Sequence, residues 1–115
     1  MRQRNNIMIV QMFFRGVYMI TEVNICGIPH EVKYVDDIFN SDSFHFGQIE
    51  YGDAKISINN SLKPELKYET LCHEMLHGML VHLGYSELSD NEQLVQALGN
   101  AIAQSFNIRP TQCEL

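Results

Sequence analysis

Clustered positive charge is missing from this chain. Its 8 Lys and Arg residues are scattered and outnumbered by 14 Asp and Glu, for a formal net charge of −6. Nucleic acid and anionic membrane surfaces are bound through grouped basic side chains, so neither is expected as a partner. Paired cysteine motifs are missing too. Cys26, Cys72 and Cys113 are odd in number and form no CxxC, which points to free thiols in a reducing cytoplasm rather than a disulfide framework or a Cys-rich zinc module. The chain has no internal repeat and no low-complexity segment. Arg2 and Arg4 ahead of the apolar runs Ile7–Val10 and Met12–Phe14 faintly resemble a signal peptide, but Gln11 and Arg15 interrupt the runs and no small-residue cleavage site comes after them, so export is not expected.

What the chain does have is enough apolar content, 45% of 115 residues, for one core and one domain. Residues 1–19, with Met1, Met8, Met12 and Met19 as alternative starts, read as a flexible arm or an over-long start; the globular pattern covers 20–106, and 107–115 is a tail. Alternation of Val23 and Ile25 with Glu22 and Asn24, then of Val32 and Tyr34, predicts a hairpin turning at Gly27 to Pro29. Residues 36–43 are polar and read as a loop, and Phe44-His45-Phe46-Gly47 leads into a second strand pair. Its arms are Gln48 to Tyr51 and Ala54 to Asn59, joined by a two-residue turn at Gly52-Asp53, with Ile56 and Ile58 inward and Lys55 and Ser57 outward. A helix over 64–83 comes next, with Pro64 at its first turn and Gly84 at its end. A second helix is predicted over 90–106, with Leu94, Val95, Leu98, Ala101 and Ile102 on its inner face. The fold class is α+β, a sheet of hairpins over 20–59 packed on two helices.

The stretch that carries chemistry is Leu71-Cys72-His73-Glu74-Met75-Leu76-His77-Gly78. Two histidines four residues apart lie on one helix face, so both imidazoles can reach one ion. Glu74, about 100° round from His73, can reach a water on that ion without binding the ion itself. Chance at this composition gives on the order of 0.02 such HExxH patterns. The pattern predicts two neutral imidazole ligands for Zn2+ and a carboxylate general base. The alternative is a pair of helix-surface histidines beside a solvated Glu.

A catalytic zinc needs a third protein ligand. His82 is about 140° from His77 on the same helix, and His30 and His45 belong to the sheet region with no spacing argument. Glu92, fifteen residues after His77, can return to the ion if the two helices pack antiparallel. Glu87 and Asp90 are the next candidates. Ser89-Asp90-Asn91-Glu92 also fits a capping box, which would occupy Glu92 with its own helix. Tyr51, Tyr85 and His82 are candidates by residue type for a donor to a developing oxyanion.

His73-Glu74-Met75-Leu76-His77 followed by Glu92-Gln93-Leu94-Val95-Gln96-Ala97-Leu98 resembles the small phage and mobile-element zinc metallopeptidases of the ImmA/IrrE type, minimal gluzincin-like zincins. The resemblance implies a sheet ahead of the HExxH helix, His73, His77 and Glu92 as zinc ligands, and Glu74 as general base. It implies hydrolysis of a peptide bond in a peptide or protein substrate by zinc-bound water. The chain departs from the family in having Asn91-Glu92 where paired acids are usual and in lacking an evident DNA-binding or sensor domain. In zincins generally the strand before the active helix pairs with the substrate backbone, which makes Lys55, Ile56 and Ser57 candidates for substrate binding. A catalytically inactive accessory protein that uses the same strand edge to hold a partner is the alternative. Substrate, cleavage preference and oligomeric state have no signal in the sequence.

Overall fold

The computed structural model describes residues 19–36 and 46–109. The expectations for residues 1–18, for 37–45 with His45, and for 110–115 with Cys113 fall outside them.

Strands β1 (Glu22–Ile25) and β2 (Ile28–Val35) are joined by only Cys26 and Gly27, both at positive φ, 53° and 84°. Two consecutive left-handed residues give the tight turn whose twist matches the strands, and Gly27 takes that conformation without a Cβ penalty. The turn is therefore one step earlier than expected, and Pro29 lies inside β2, opposite Asn24. It is tolerated because alternate β2 residues donate to opposite sides. Val32 donates to Thr21 on the β1 side and Glu31 to Ala54 on the other, so position 29 faces the second side, where pairing with the next strand starts only at Glu31.

Strands β3 (Gly47–Glu50) and β4 (Lys55–Asn59) form the second hairpin. Their last pair is Glu50 with Lys55, so the turn spans four residues, Tyr51 to Ala54, instead of two; Ala54 takes the positive φ of 51°. The sheet order is β1-β2-β4-β3, with β2 and β4 parallel and the other two pairs antiparallel. This is a mixed sheet in an α+β chain. Strand β4 is interior, so Ser57 is buried along with Ile56 and Ile58, against the expected in-out alternation.

Helix α1 (Pro64–His82) crosses the sheet and packs against β1, β3 and β4 on one side and the last helix on the other. Sandwiched this way, it is buried nearly all round from Tyr68 to Gly78. Leu71, Cys72 and Met75 join Val23, Ile25, Val32, Ile56 and Ile58 in the core. A Cβ on Gly78 would lie 3.0 Å from Ile49 Cδ1 and 3.1 Å from Ile25 Cδ1, so any larger residue would require these isoleucine side chains to give by a few tenths of an ångström. Leu83 is 63% exposed just beyond the helix end. A short helix α2 (Ser86–Ser89) fills what reads as a plain connection, and α3 (Glu92–Ser105) returns antiparallel to α1.

The inner face of α3 is Val95, Gly99 and Ala103, flanked by Leu94 and Ile102; Leu98 and Ala101 are exposed, a rotation of the expected face. The rotation is set by Gly99, whose missing side chain permits the closest approach to α1. After α3, Phe106 O accepts from the Tyr68 hydroxyl at 2.9 Å, and the Tyr68 oxygen accepts from Ile108 N at 2.9 Å. The first residues of the expected tail are thus tied to the core. Among the described residues no helix is long and apolar enough to cross a membrane.

Candidate metal centre

His73 and His77 project from one face of α1, one turn apart, with side chains 17% and 11% exposed. Their rings meet edge to face with centroids 4.9 Å apart. Both Nε2 atoms converge on one carboxylate: His73 on Glu92 Oε1 at 3.1 Å and His77 on Glu92 Oε2 at 3.0 Å. Ligand atoms at about 2.0–2.1 Å from a tetrahedral zinc lie roughly 3.3 Å from one another. The N–O separations found here are within a few tenths of an ångström of that edge, and two imidazoles with one carboxylate are the donor set zinc takes in hydrolytic sites. The three groups are close enough together to share a metal ion, their ligand atoms all lying within 4.8 Å of one another. Glu87 and Asp90 are not in the grouping, although Asp90 borders the same cleft.

Glu92 gets there because α3 begins with it. The N-cap is Asn91, whose side-chain oxygen accepts from Leu94 N at 3.1 Å. That removes the capping-box role from Glu92, and it also releases Ser89, the expected cap. Ser89 is buried, and its Oγ lies 2.8 Å from His77 Nδ1. A partner on the second ring nitrogen fixes the plane of the imidazole and aims its other nitrogen. Two turns along α3, the Cβ position of Gly99 lies 3.2 Å from His73 Cα, which sets how near Glu92 comes to the histidines.

Glu74 is buried next to this group, and its carboxyl is pushed up to about 7, mainly by burial and secondarily by the charge of Glu92. His73 is pushed down from the ordinary imidazole value, again mainly by burial, with Glu92 opposing. Burial thus favours a neutral imidazole, the form that can donate a lone pair to an ion.

The group opens into a cleft of about 750 Å3 between the β3 side of the sheet and the helices, with Phe46, Gln48 and Tyr51 on one wall and Leu66, Glu69 and Gln96 on the other. Tyr51 comes directly after β3, and burial raises its hydroxyl above the ordinary value, with Ser89 opposing. Tyr85 and His82 do not border the cleft: Tyr85 is 57% exposed, and His82 stacks edge-on with His30. Lys55, Ile56 and Ser57 are not at the cleft either. Their strand is paired on both sides, with β2 and β3, so its main chain has no free edge to offer a substrate. The edge beside the cleft belongs to β3.

Sequence reasoning missed Ser89 as the partner of His77 and β3 as the strand at the cleft edge. Ser89 gave a misleading signal, a match to the capping box, while the competing signal was Asn91 placed immediately before an acidic first turn. No protein-family model matches the chain, and neither a curated protein nor a solved structure does.

Proposed function

We propose that this chain is a zinc-dependent peptidase with a zincin-like site, in which His73, His77 and Glu92 hold the ion. The observation that carries the reading is the convergence of both imidazole Nε2 atoms on the two oxygens of Glu92, at 3.1 and 3.0 Å, beside a buried carboxyl of raised pKa. Zinc in such a site supplies a Lewis acid for the scissile carbonyl and lowers the pKa of water. Glu74 takes a proton from the attacking water as its oxygen bonds to the carbonyl carbon, then passes that proton to the amine as the C–N bond breaks. A base and acid with a pKa of about 7 can do both at neutral pH. An extended peptide would add to the free edge of β3, Gly47–Glu50, next to the cleft. Membership of the ImmA/IrrE type rests on the HExxH residues and on Glu92 at the head of the following helix.

The test is zinc stoichiometry on the wild type and three variants, with hydrolysis of an unfolded protein such as casein followed in parallel. One zinc per chain is expected in wild type and Glu74→Gln. Loss or weakening is expected in His73→Ala and Glu92→Gln, and hydrolysis should be absent in Glu74→Gln alone among the zinc-loaded forms. A folded wild type that takes up no zinc would overturn the reading. Zinc uptake without hydrolysis would leave the accessory-protein alternative.

A further inference from the structure

His30 is fully buried, at 0% exposure, and does not border the cleft. Its Nδ1 lies 2.8 Å from the carbonyl oxygen of Ile28. A carbonyl only accepts, so the neutral ring carries its proton on Nδ1 and Nε2 is a bare lone pair. Among the described residues that Nε2 is the one buried side-chain nitrogen or oxygen with no hydrogen-bond partner. A native fold seldom leaves such an atom unmatched, because the atom gave up its water on folding. Histidines that ligate metals have this same arrangement, one ring nitrogen tied to a carbonyl and the other offered to the ion.

A second imidazole stands beside the first. His82, exposed in the last turn of α1, has its ring centroid 5.9 Å from that of His30, with the ring planes at 88°. This pair is wider than the edge-to-face pair of His73 and His77, whose centroids are 4.9 Å apart. Two imidazole nitrogens on opposite sides of one ion, each about 2.0 Å from it, set the ring centroids roughly 6 Å apart. Rings coordinated in line can turn about the bond to the metal, so crossed planes are no obstacle, and an exposed His82 side chain is free to swing and admit the ion.

The donor count selects the ion. Among the described residues no group of three His, Cys, Asp or Glu ligands includes His30 or His82. Zinc normally takes four ligands, and at a buried Nε2 water cannot complete the set. A closed-shell monovalent ion is content with two ligands in line, and imidazole is a suitable donor to copper. We infer that His30 and His82 form a two-coordinate site for Cu(I), which ties the last turn of α1 to the start of β2. The site shares no residue with the proposed zinc centre and stands whether or not the peptidase reading does.

The experiment titrates Cu(I), buffered by bicinchoninate under nitrogen, into the full chain carrying Cys26→Ser and Cys113→Ser, because thiolates also take this ion. Circular dichroism checks the fold of every form, and nitrogen NMR of the imidazoles reads where the ion goes. One Cu(I) is expected to bind, with the His30 Nε2 resonance moving from the position of a bare lone pair while Nδ1 keeps its proton. His82 is exposed, so His82→Gln in the same background is expected to fold as its parent does and to lose that equivalent. His73→Ala is expected to take up Cu(I) as the parent does. Uptake unchanged in His82→Gln would overturn the site, and so would an ion that leaves the His30 Nε2 resonance where it was. An equal loss in His73→Ala would assign the ion to the zinc centre and overturn it as well.

Discussion

Glu74 carries a stability cost that its own titration exposes. Its folded value of about 7 stands above the ordinary 4.5, so the folded chain holds this proton more tightly than the unfolded chain does. Below pH 4.5 both states are protonated and there is no cost; above about pH 7 both are ionised and the folded state bears the full burial penalty. The span corresponds to about 3 kcal/mol. His73 acts in the opposite sense, since its lowered value costs stability as pH falls through the unfolded imidazole range. We expect metal-free Glu74→Gln to lack the Glu74 component, so that the wild type loses about 3 kcal/mol more than the variant between about pH 4.5 and about pH 8. Urea unfolding across that range measures it, and parallel profiles would refute it. At this scale the sequence was most legible where the chemistry is local. His73, Glu74 and His77 are fixed relative to one another by one helix turn, so their spacing carries their geometry. Ser89 was illegible because its partner, His77, is twelve residues away, across a helix end whose exact turn no periodicity predicts.

At the scale of elements the site depends on how closely α3 lies on α1. The contact at Gly99 is against the backbone of His73, which cannot rotate aside as a side chain could. Gly99→Val, touching no ligand, is expected to destabilise the fold by about 1–3 kcal/mol through overpacking. By moving the start of α3 it should also weaken zinc binding well beyond what the stability loss accounts for. Metal titration at a temperature where the variant is fully folded is the check; unchanged affinity would mean Glu92 is positioned by its own turn and not by the helix packing. Elements were legible in kind and less so in placement. All four strands and both long helices stand where alternation and the 3.6-residue period put them. The turns moved, because Cys26-Gly27 and Tyr51 to Ala54 are set by which residues accept positive φ, and Cys26 and Ala54 give little warning of that. The strand order could not be read at all: nothing local says that β2 pairs with β4 and leaves β3 at the edge.

For the whole molecule, the peptidase reading makes charge the expected selector of substrates at the cleft. The net charge is −6, and the cleft is bordered by Glu69, Glu74, Asp90 and Glu92 with no Lys or Arg among its lining residues. A zinc ion offsets only two of those charges. Extended peptides with Lys or Arg near the scissile bond should therefore be bound and cleaved in preference to acidic ones, and the preference should shrink as salt rises from about 0.05 to about 0.5 M, where screening shortens the reach of these charges. Competition between a lysine and a glutamate peptide at two ionic strengths decides it; a salt-independent preference would assign selectivity to shape instead.

The proposed ligand set is also compact in sequence. His73, His77 and Glu92 all fall between residues 73 and 92, on two helices joined by a short connection, whereas the central pairing of the sheet needs Glu31 to find Lys55. Contacts near in sequence close their loops at lower entropic cost and form sooner than distant ones. The helical hairpin can thus gather its three donor groups while the strands are still unpaired. An ion present during synthesis would meet a binding site before it met a finished protein, and would act as a template for folding.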